Sequence, residues 1–289
     1  MQVVAELKDI SLLEKKNVFG WIVSLKDLSC YYDKTYNIEE VKRIVEVAHQ
    51  NNQKVYINAR RIIHEQDIEK VLNIILELEK LDVDYYFYGD MGFYEIAEEL
   101  KITHKLIYQV NTYMTNSLDI DMMIRENHSV VVSTEISFEE LLKVVENNQK
   151  ELYLHIFGHY PIFHSRRELI SNYFKYRGFN EDLEHNFDIV EELRESHYPI
   201  EQNENGMVVY IDGVYVIASE LEELEKNNSN LIGIMLSKNI NATLYAQILD
   251  LYSTKVTDEE LLKLKVNLTK GLLYEQSKLL KKEGGMVLE

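Results

Sequence analysis

The sequence predicts a (β/α)8 TIM-type barrel, a closed ring of parallel strands with a helix after each. Three observations carry this prediction. Eight short apolar runs recur along the 289 residues, amphipathic stretches lie between them, and no low-complexity linker interrupts the alternation. A hydrophobic content of 46% is enough to bury one large core, and two prolines and eleven glycines mark no domain boundary. Residues 1–289 are therefore read as a single domain. An open doubly wound sheet is the alternative. The sequence has no GxGxxG or GxxxxGK(S/T) loop, which weakens the nucleotide-binding form of that alternative.

The strands are expected at 2–6, 19–25, 54–59, 83–88, 105–109, 129–134, 152–157 and 231–236. In the seventh, Leu152, Leu154 and Ile156 alternate with Tyr153, His155 and Phe157. Among the helices, residues 37–50 place Val41, Ile44, Val45 and Ala48 on one face. The stretch 137–148 opens with a Ser137–Glu140 capping box. Thr257 and Glu260 repeat that start signal before a C-terminal helix expected over about 257–282. The seventh unit is irregular, because a long segment separates its strand from the eighth. An insertion is expected there over about 175–220, with a β-hairpin whose two arms, within 207–219, turn at Asp212-Gly213.

Composition bounds the chemistry. The net charge is −18, with acidic runs at 181–195 and 220–226, and this opposes general attraction to a phosphate backbone. Any RNA contact would need a local basic patch, densest at Arg166, Arg167, Lys175 and Arg177, or a partner's surface. Hydrophobic runs are too short to cross a membrane, and the first residues lack the pattern of a signal peptide. Cys30 is the one cysteine, so it forms no internal disulfide and holds no iron–sulfur cluster alone. The expected compartment is the cytoplasm.

In a barrel of this kind the working face lies at the C-terminal ends of the strands. Those ends carry Asn58, Arg60, Asp90, Asn111, Glu135, His159 and Lys238. Each residue has a plain reading as a helix cap or loop hydrogen-bonder; as a set they indicate ligand contact. Glu135, Asp90 and His159 are the catalytic candidates. Glu135 has the better claim, because Ser137 already caps the next helix and leaves the carboxylate to take a proton or to pair with Arg60. Asn58, Arg60, Asn111, Tyr160, Arg166, Arg167 and Lys238 are the substrate-binding candidates, with Tyr160 and Tyr173 beside the basic patch where a base could stack. No metal is expected: His155, His159 and His164 are separated by a bend at Gly158, and His64-Glu65 lacks the second histidine of HExxH. No Gly-x-Ser-x-Gly elbow occurs, and Cys30 within LSCYYD reads as a structural thiol.

The segment from Leu152 to Phe174 resembles the signature region of the family named peptidase U32, in which a strand leaves through a glycine turn into Ser-x-Arg-Cys, two hydrophobic residues and Ser-Asn-Tyr. The counterpart here is Ser165-Arg166-Arg167-Glu168-Leu169-Ile170-Ser171-Asn172-Tyr173. Similar stretches lie at 54–67, 88–99, 109–117, 130–141 and 198–206, so the resemblance covers nearly the whole chain. Two departures stand out. Pro161 and Glu168 fall where many members carry cysteine ligands, and Ser237-Lys238-Asn239 replaces a Glu-Gly-Arg after the last strand. The family includes collagenase-like peptidases and hydroxylation proteins acting on tRNA wobble uridine, ribosomal RNA cytidine and ubiquinone; several hold a four-iron cluster and act as paired subunits. The resemblance implies a short, cluster-free member with no cofactor of its own. Such a member would work on tRNA uridine-34 with a longer cysteine-bearing paralogue, or as a homodimer, and would reach tRNA through the complex and no membrane. A peptidase and a non-catalytic assembly module are the alternatives.

Overall fold

The computed structural model describes residues 1–110, 113–126, 128–179, 187–190, 196–254 and 256–275. In chain order the elements are β1 (Gln2–Glu6), a 3-10 turn (Ile10–Glu14), β2 (Gly20–Ser24), α1 (Ile38–Gln50), β3 (Lys54–Ala59), α2 (Ile68–Lys80), β4 (Tyr85–Tyr88), α3 (Met91–Glu99), β5 (Leu106–Tyr108), α4 (Ser117–Arg125), β6 (Ser129–Val131), α5 (Phe138–Asn147) and β7 (Leu152–Gly158). There follow β8 (Pro161–Ser165), α6 (Leu169–Arg177), β9 (Phe187–Val190), β10 (His197–Asn203), β11 (Gly206–Tyr210), β12 (Val214–Val216), α7 (Leu221–Asn227), β13 (Leu231–Met235), α8 (Ala242–Tyr252), α9 (Asp258–Leu262) and β14 (Leu268–Thr269).

Strands β1 to β7 pair in sequence order, all parallel, and β13 closes the ring by pairing with both β7 and β1. All eight expected strands are present within a residue or a few of their predicted bounds. They read clearly because parallel barrel strands are covered on both faces; β2 and β13 are buried at every position. Inside the ring, the Tyr56, Phe87 and Tyr153 rings from β3, β4 and β7 meet at centroid distances of 5.6 to 6.3 Å, so the barrel is plugged by aromatics. Outside, helices supply their apolar stripes, such as Val41, Ile44, Val45 and Ala48 of α1. The Asn37–Glu40, Ser137–Glu140 and Thr257–Glu260 capping boxes set where α1, α5 and α9 begin.

Three expectations are corrected. The first unit has only the short 3-10 turn at Ile10–Glu14 where a full helix was expected. The hairpin of the insertion lies elsewhere: β10 and β11 pair antiparallel around Glu204 and Asn205, inside a four-stranded sheet ordered β8-β11-β10-β9 that already begins at Pro161. Asp212-Gly213 instead hands the chain from that small sheet back to the barrel, where β12 runs antiparallel to β7. The helix begun at Thr257 ends at Leu262, because Lys265 adopts a left-handed φ of 56° and the following residues extend into β14 beside β12. Residues 276–282 of that expected helix lie outside the described residues.

The small sheet lies over the barrel mouth. On one face Val208 and Tyr210 pack on Cys30 and Tyr31 of the loop after β2, and on the other Met207 and Val209 pack on Ile170 of α6. Asn205 fixes the hairpin turn to the barrel by donating to the carbonyls of Lys26 at 2.6 Å and Ser29 at 2.9 Å.

Candidate functional site

A cleft of about 310 Å³ opens where the small sheet meets the C-terminal ends of β3, β4 and β5. Arg60, Asp90, Gln109, Tyr31, Phe163 and His164 are among its lining residues. Arg60 is buried, at 7% exposure, and its position is set from two sides. Its Nε donates to Asn58 Oδ1 at 2.9 Å, and its guanidinium lies 4.1 Å from the centre of the Tyr31 ring. Asn58 is held in turn, since its Nδ2 donates to Ser24 Oγ and to the Tyr31 carbonyl, both at 2.9 Å. A strand-end asparagine thus serves to aim an arginine.

Asp90 lines the same cleft but spends its carboxylate as the N-cap of α3, accepting from Gly92 N at 2.8 Å and Ile63 N at 3.2 Å. Gln109 meets His155 across 2.9 Å inside the barrel. Burial, helped by the nearby Arg60 charge, lowers the His155 pKa to about 3, so this imidazole is neutral at any physiological pH. Burial also lowers His164 and His159. His159 lies in a smaller hollow beside Glu6, Tyr210 and Lys238, which Arg60 also lines.

The other candidates are more scattered. Glu135 follows β6, is exposed, and has its carboxyl pKa raised by desolvation; among the described residues it forms no ion pair, so the expected Glu135–Arg60 pair is absent. Lys238 is engaged with Glu201 of β10 at 2.7 Å and with the Tyr32 carbonyl at 3.3 Å, and so fastens the small sheet to the last barrel strand. Tyr160 is buried, with its ring between His155 and Tyr215, and has no face to offer a base. Arg166 binds the Glu204 carbonyl at 2.6 Å, whereas Arg167, Tyr173, Lys175 and Arg177 are exposed on and before α6. Asn111 lies outside the described residues. Sequence reasoning missed Tyr31, Gln109 and Phe163. Gln109 had a readable signal, as a polar residue closing an apolar run; Tyr31 and Phe163 reach the cleft through a loop and an inserted strand whose placement depends on the tertiary fold.

Residues 23–262 match the sequence profile described as Peptidase family U32. The chain belongs to this family. A Bacillus subtilis (strain 168) relative named tRNA hydroxylation protein P2 is 28% identical over 195 residues, which is 65% of this chain and 63% of that protein. A Methanocaldococcus jannaschii relative named "Uncharacterized protease MJ0090" is 29% identical over 118 residues, 41% of this chain and 28% of that protein. The matches thus span less than two thirds of either relative's own length. A solved structure titled "The Structure of the U32 Peptidase Mk0906" superposes with a TM-score of 0.52 at 15% identity, covering 83% of this chain and 94% of that one, and it supports the barrel fold alone.

The four-iron cluster of some U32 members does not fit the donors of this U32 chain. Such a cluster needs several thiolates, and Cys30 is the one cysteine here. Burial pushes its thiol up to about 12. Pro161 opens β8, and Glu168 sits at the start of α6, with no thiol at either position.

Proposed function

We propose that this U32 barrel is a subunit of a tRNA hydroxylation system that acts on the wobble uridine together with a cysteine-bearing relative. The observation that carries the reading is the similarity to tRNA hydroxylation protein P2, which extends over 195 residues. The donor set supports a division of labour. With one buried, protonated thiol in this chain, cluster-based oxygen transfer belongs to the partner, and this subunit contributes barrel-mouth contacts, RNA positioning and stability of the complex. The working compartment in this reading is the cytoplasm, where tRNA is modified.

Deleting the gene and digesting total tRNA to nucleosides tests this by mass spectrometry. Loss of 5-hydroxyuridine derivatives, restored by the wild-type gene, is the expected result; unchanged levels reject the reading. A peptidase is the second reading, favoured by the name of the M. jannaschii relative. It predicts cleavage of denatured collagen or library peptides by the pure chain, abolished by Glu135→Gln or His159→Ala. The first reading predicts no such cleavage.

A further inference from the structure

Helix α6 presents an outer face that the packing of this chain does not use. Its inner face is spent on the small sheet: Ile170 packs on Met207 and Val209, and the Phe174 ring meets Phe187 of β9 at 5.3 Å. Gly178, left-handed with φ of 69°, ends the helix, and Phe179 N donates back to the Phe174 carbonyl at 2.9 Å. This turn leaves the Phe179 ring 5.7 Å from the Arg177 guanidinium. On the outside, Tyr176 is 85% exposed, Tyr173 54% and Phe179 56%, and Arg167, Lys175 and Arg177 are exposed beside them. Among the described residues, none of these cations forms an ion pair and neither tyrosine hydroxyl forms a hydrogen bond. We propose that this face is a stacking platform for unpaired RNA bases, with its cations on the flanking phosphates.

Spacing and composition select that ligand. Tyr173 and Tyr176 stand three residues apart on one side of the helix, with Cβ atoms about 5–6 Å from each other, so successive bases can lie against adjacent rings. An aromatic face accepts any base, whereas a base paired and stacked in a duplex has no free face to offer. Basic residues in the last turn also complement the helix dipole, but the dipole does not account for aromatic rings held in water beside them. The one acidic residue within 165–179, Glu168, stands at the N-cap, about 12 Å along the helix axis from Tyr176. A protein partner fits less well. None of the exposed residues of α6 is aliphatic, and a lysine among the rings is a residue depleted from the dry centre of protein interfaces. The net charge of −18 keeps long-range attraction weak, so selectivity at this face comes from stacking more than from counterion release.

This inference rests on the tRNA reading for its ligand and names the surface that meets it. Its test uses synthetic RNA and no partner. The platform can therefore fail while tRNA hydroxylation stands, and a deletion strain with unchanged hydroxyuridine rejects tRNA hydroxylation without touching this measurement. The full chain is titrated at about 50 mM salt into a fluorescein-labelled RNA hairpin with an unpaired loop, and into a fully paired RNA duplex of the same length, with anisotropy as the readout. Weak binding of the hairpin is expected, with the duplex about tenfold weaker. Tyr173→Ala and Tyr176→Ala should each lower hairpin affinity about five- to tenfold at an unchanged salt slope, and Tyr176→Phe should retain it. Arg177→Ala should instead make the salt slope shallower by roughly 0.7. Both tyrosines are exposed, so their Ala variants should keep the wild-type Tm. No hairpin binding, equal binding of the duplex, or unchanged affinity in both Ala variants would each overturn the platform. So would sedimentation velocity showing a wild-type dimer that Tyr176→Ala dissociates, because the face would then belong to a protein contact.

Discussion

Asp84 shows how one carboxylate organises the closed end of the barrel. It lies just before β4 and accepts from Lys54 Nζ at 2.8 Å, Val55 N at 2.9 Å and His49 Nε2 at 2.9 Å, which joins α1, β3 and β4. Burial alone would raise its pKa, but these bonds to Lys54, Val55 and His49 outweigh that and lower it. A folded pKa below the unfolded value means a stabilisation that is full above the unfolded pKa and lost as pH falls through the folded one. Asp84→Asn should therefore cost about 1–3 kcal/mol in urea unfolding at pH 7, and the difference from wild type should shrink steadily below about pH 4. An equal cost at pH 7 and pH 3 would assign the effect to packing. Asp90 allows the opposite test at the same scale. As a helix cap it should tolerate Asn in part, since the amide oxygen keeps the Gly92 N bond but the NH2 cannot accept from Ile63 N, and Ala should cost about 1 kcal/mol or more by losing both. If Asp90→Asn abolishes complementation of the hydroxyuridine defect while Asp90→Ala at an equal or lower Tm does so no more completely, and the Tm of the Asn variant stays well above the growth temperature, the carboxylate has a chemical role beyond the cap.

Among the elements, the β10–β11 hairpin decides whether the mouth is covered. Gly206 follows its turn with φ of 113°, and a Cβ there would fall 1.9 Å from the Ser165 carbonyl oxygen of β8, so no other residue fits without parting the strands. Asn205 next to it pins the turn to the loop after β2. Gly206→Ala should unfasten β8 from β11, and Asn205→Ala should cost about 1–3 kcal/mol by leaving the buried Ser29 carbonyl and the partly buried Lys26 carbonyl without their donor. Both should increase hydrogen exchange in 197–210 and at Tyr31 while the barrel strands stay protected; uniform loss of protection would show that the small sheet is not a separable layer. The same region marks the limit of what the sequence discloses. Strands such as GWIVS in β2 were legible because both of their faces are buried, and capping boxes are local enough to read directly. By contrast, β8 and β10 carry half-exposed polar residues and look like loop. The Asp212-Gly213 dipeptide signals a turn correctly, yet a turn signal cannot say which sheet each arm joins. At the site, Arg60 and Asp90 were legible as strand-end residues, but the burial of Tyr160 and the engagement of Lys238 with Glu201 depend on where the insertion folds back.

On the scale of the whole molecule, charge and topology pull in different directions. The net charge of −18 repels a polyanion at long range, and the exposed cations Arg167, Lys175 and Arg177 gather on and beside α6. A chain with this balance has no general electrostatic attraction to draw tRNA from solution; three local cations release few counterions, so the contribution of this face to affinity is small and its salt dependence shallow. Under the tRNA reading, affinity must then come chiefly from the complex. The pure chain is expected to retain little labelled tRNA in filter binding at about 150 mM salt, and addition of the cysteine-bearing relative should produce binding. In that complex, Arg167→Ala together with Arg177→Ala should weaken retention several-fold and reduce the slope of log K against log salt by roughly 1–2. Tight, steeply salt-dependent binding by the isolated chain would contradict the proposed division of labour, because it would place the main RNA-binding surface on the subunit whose charge opposes it.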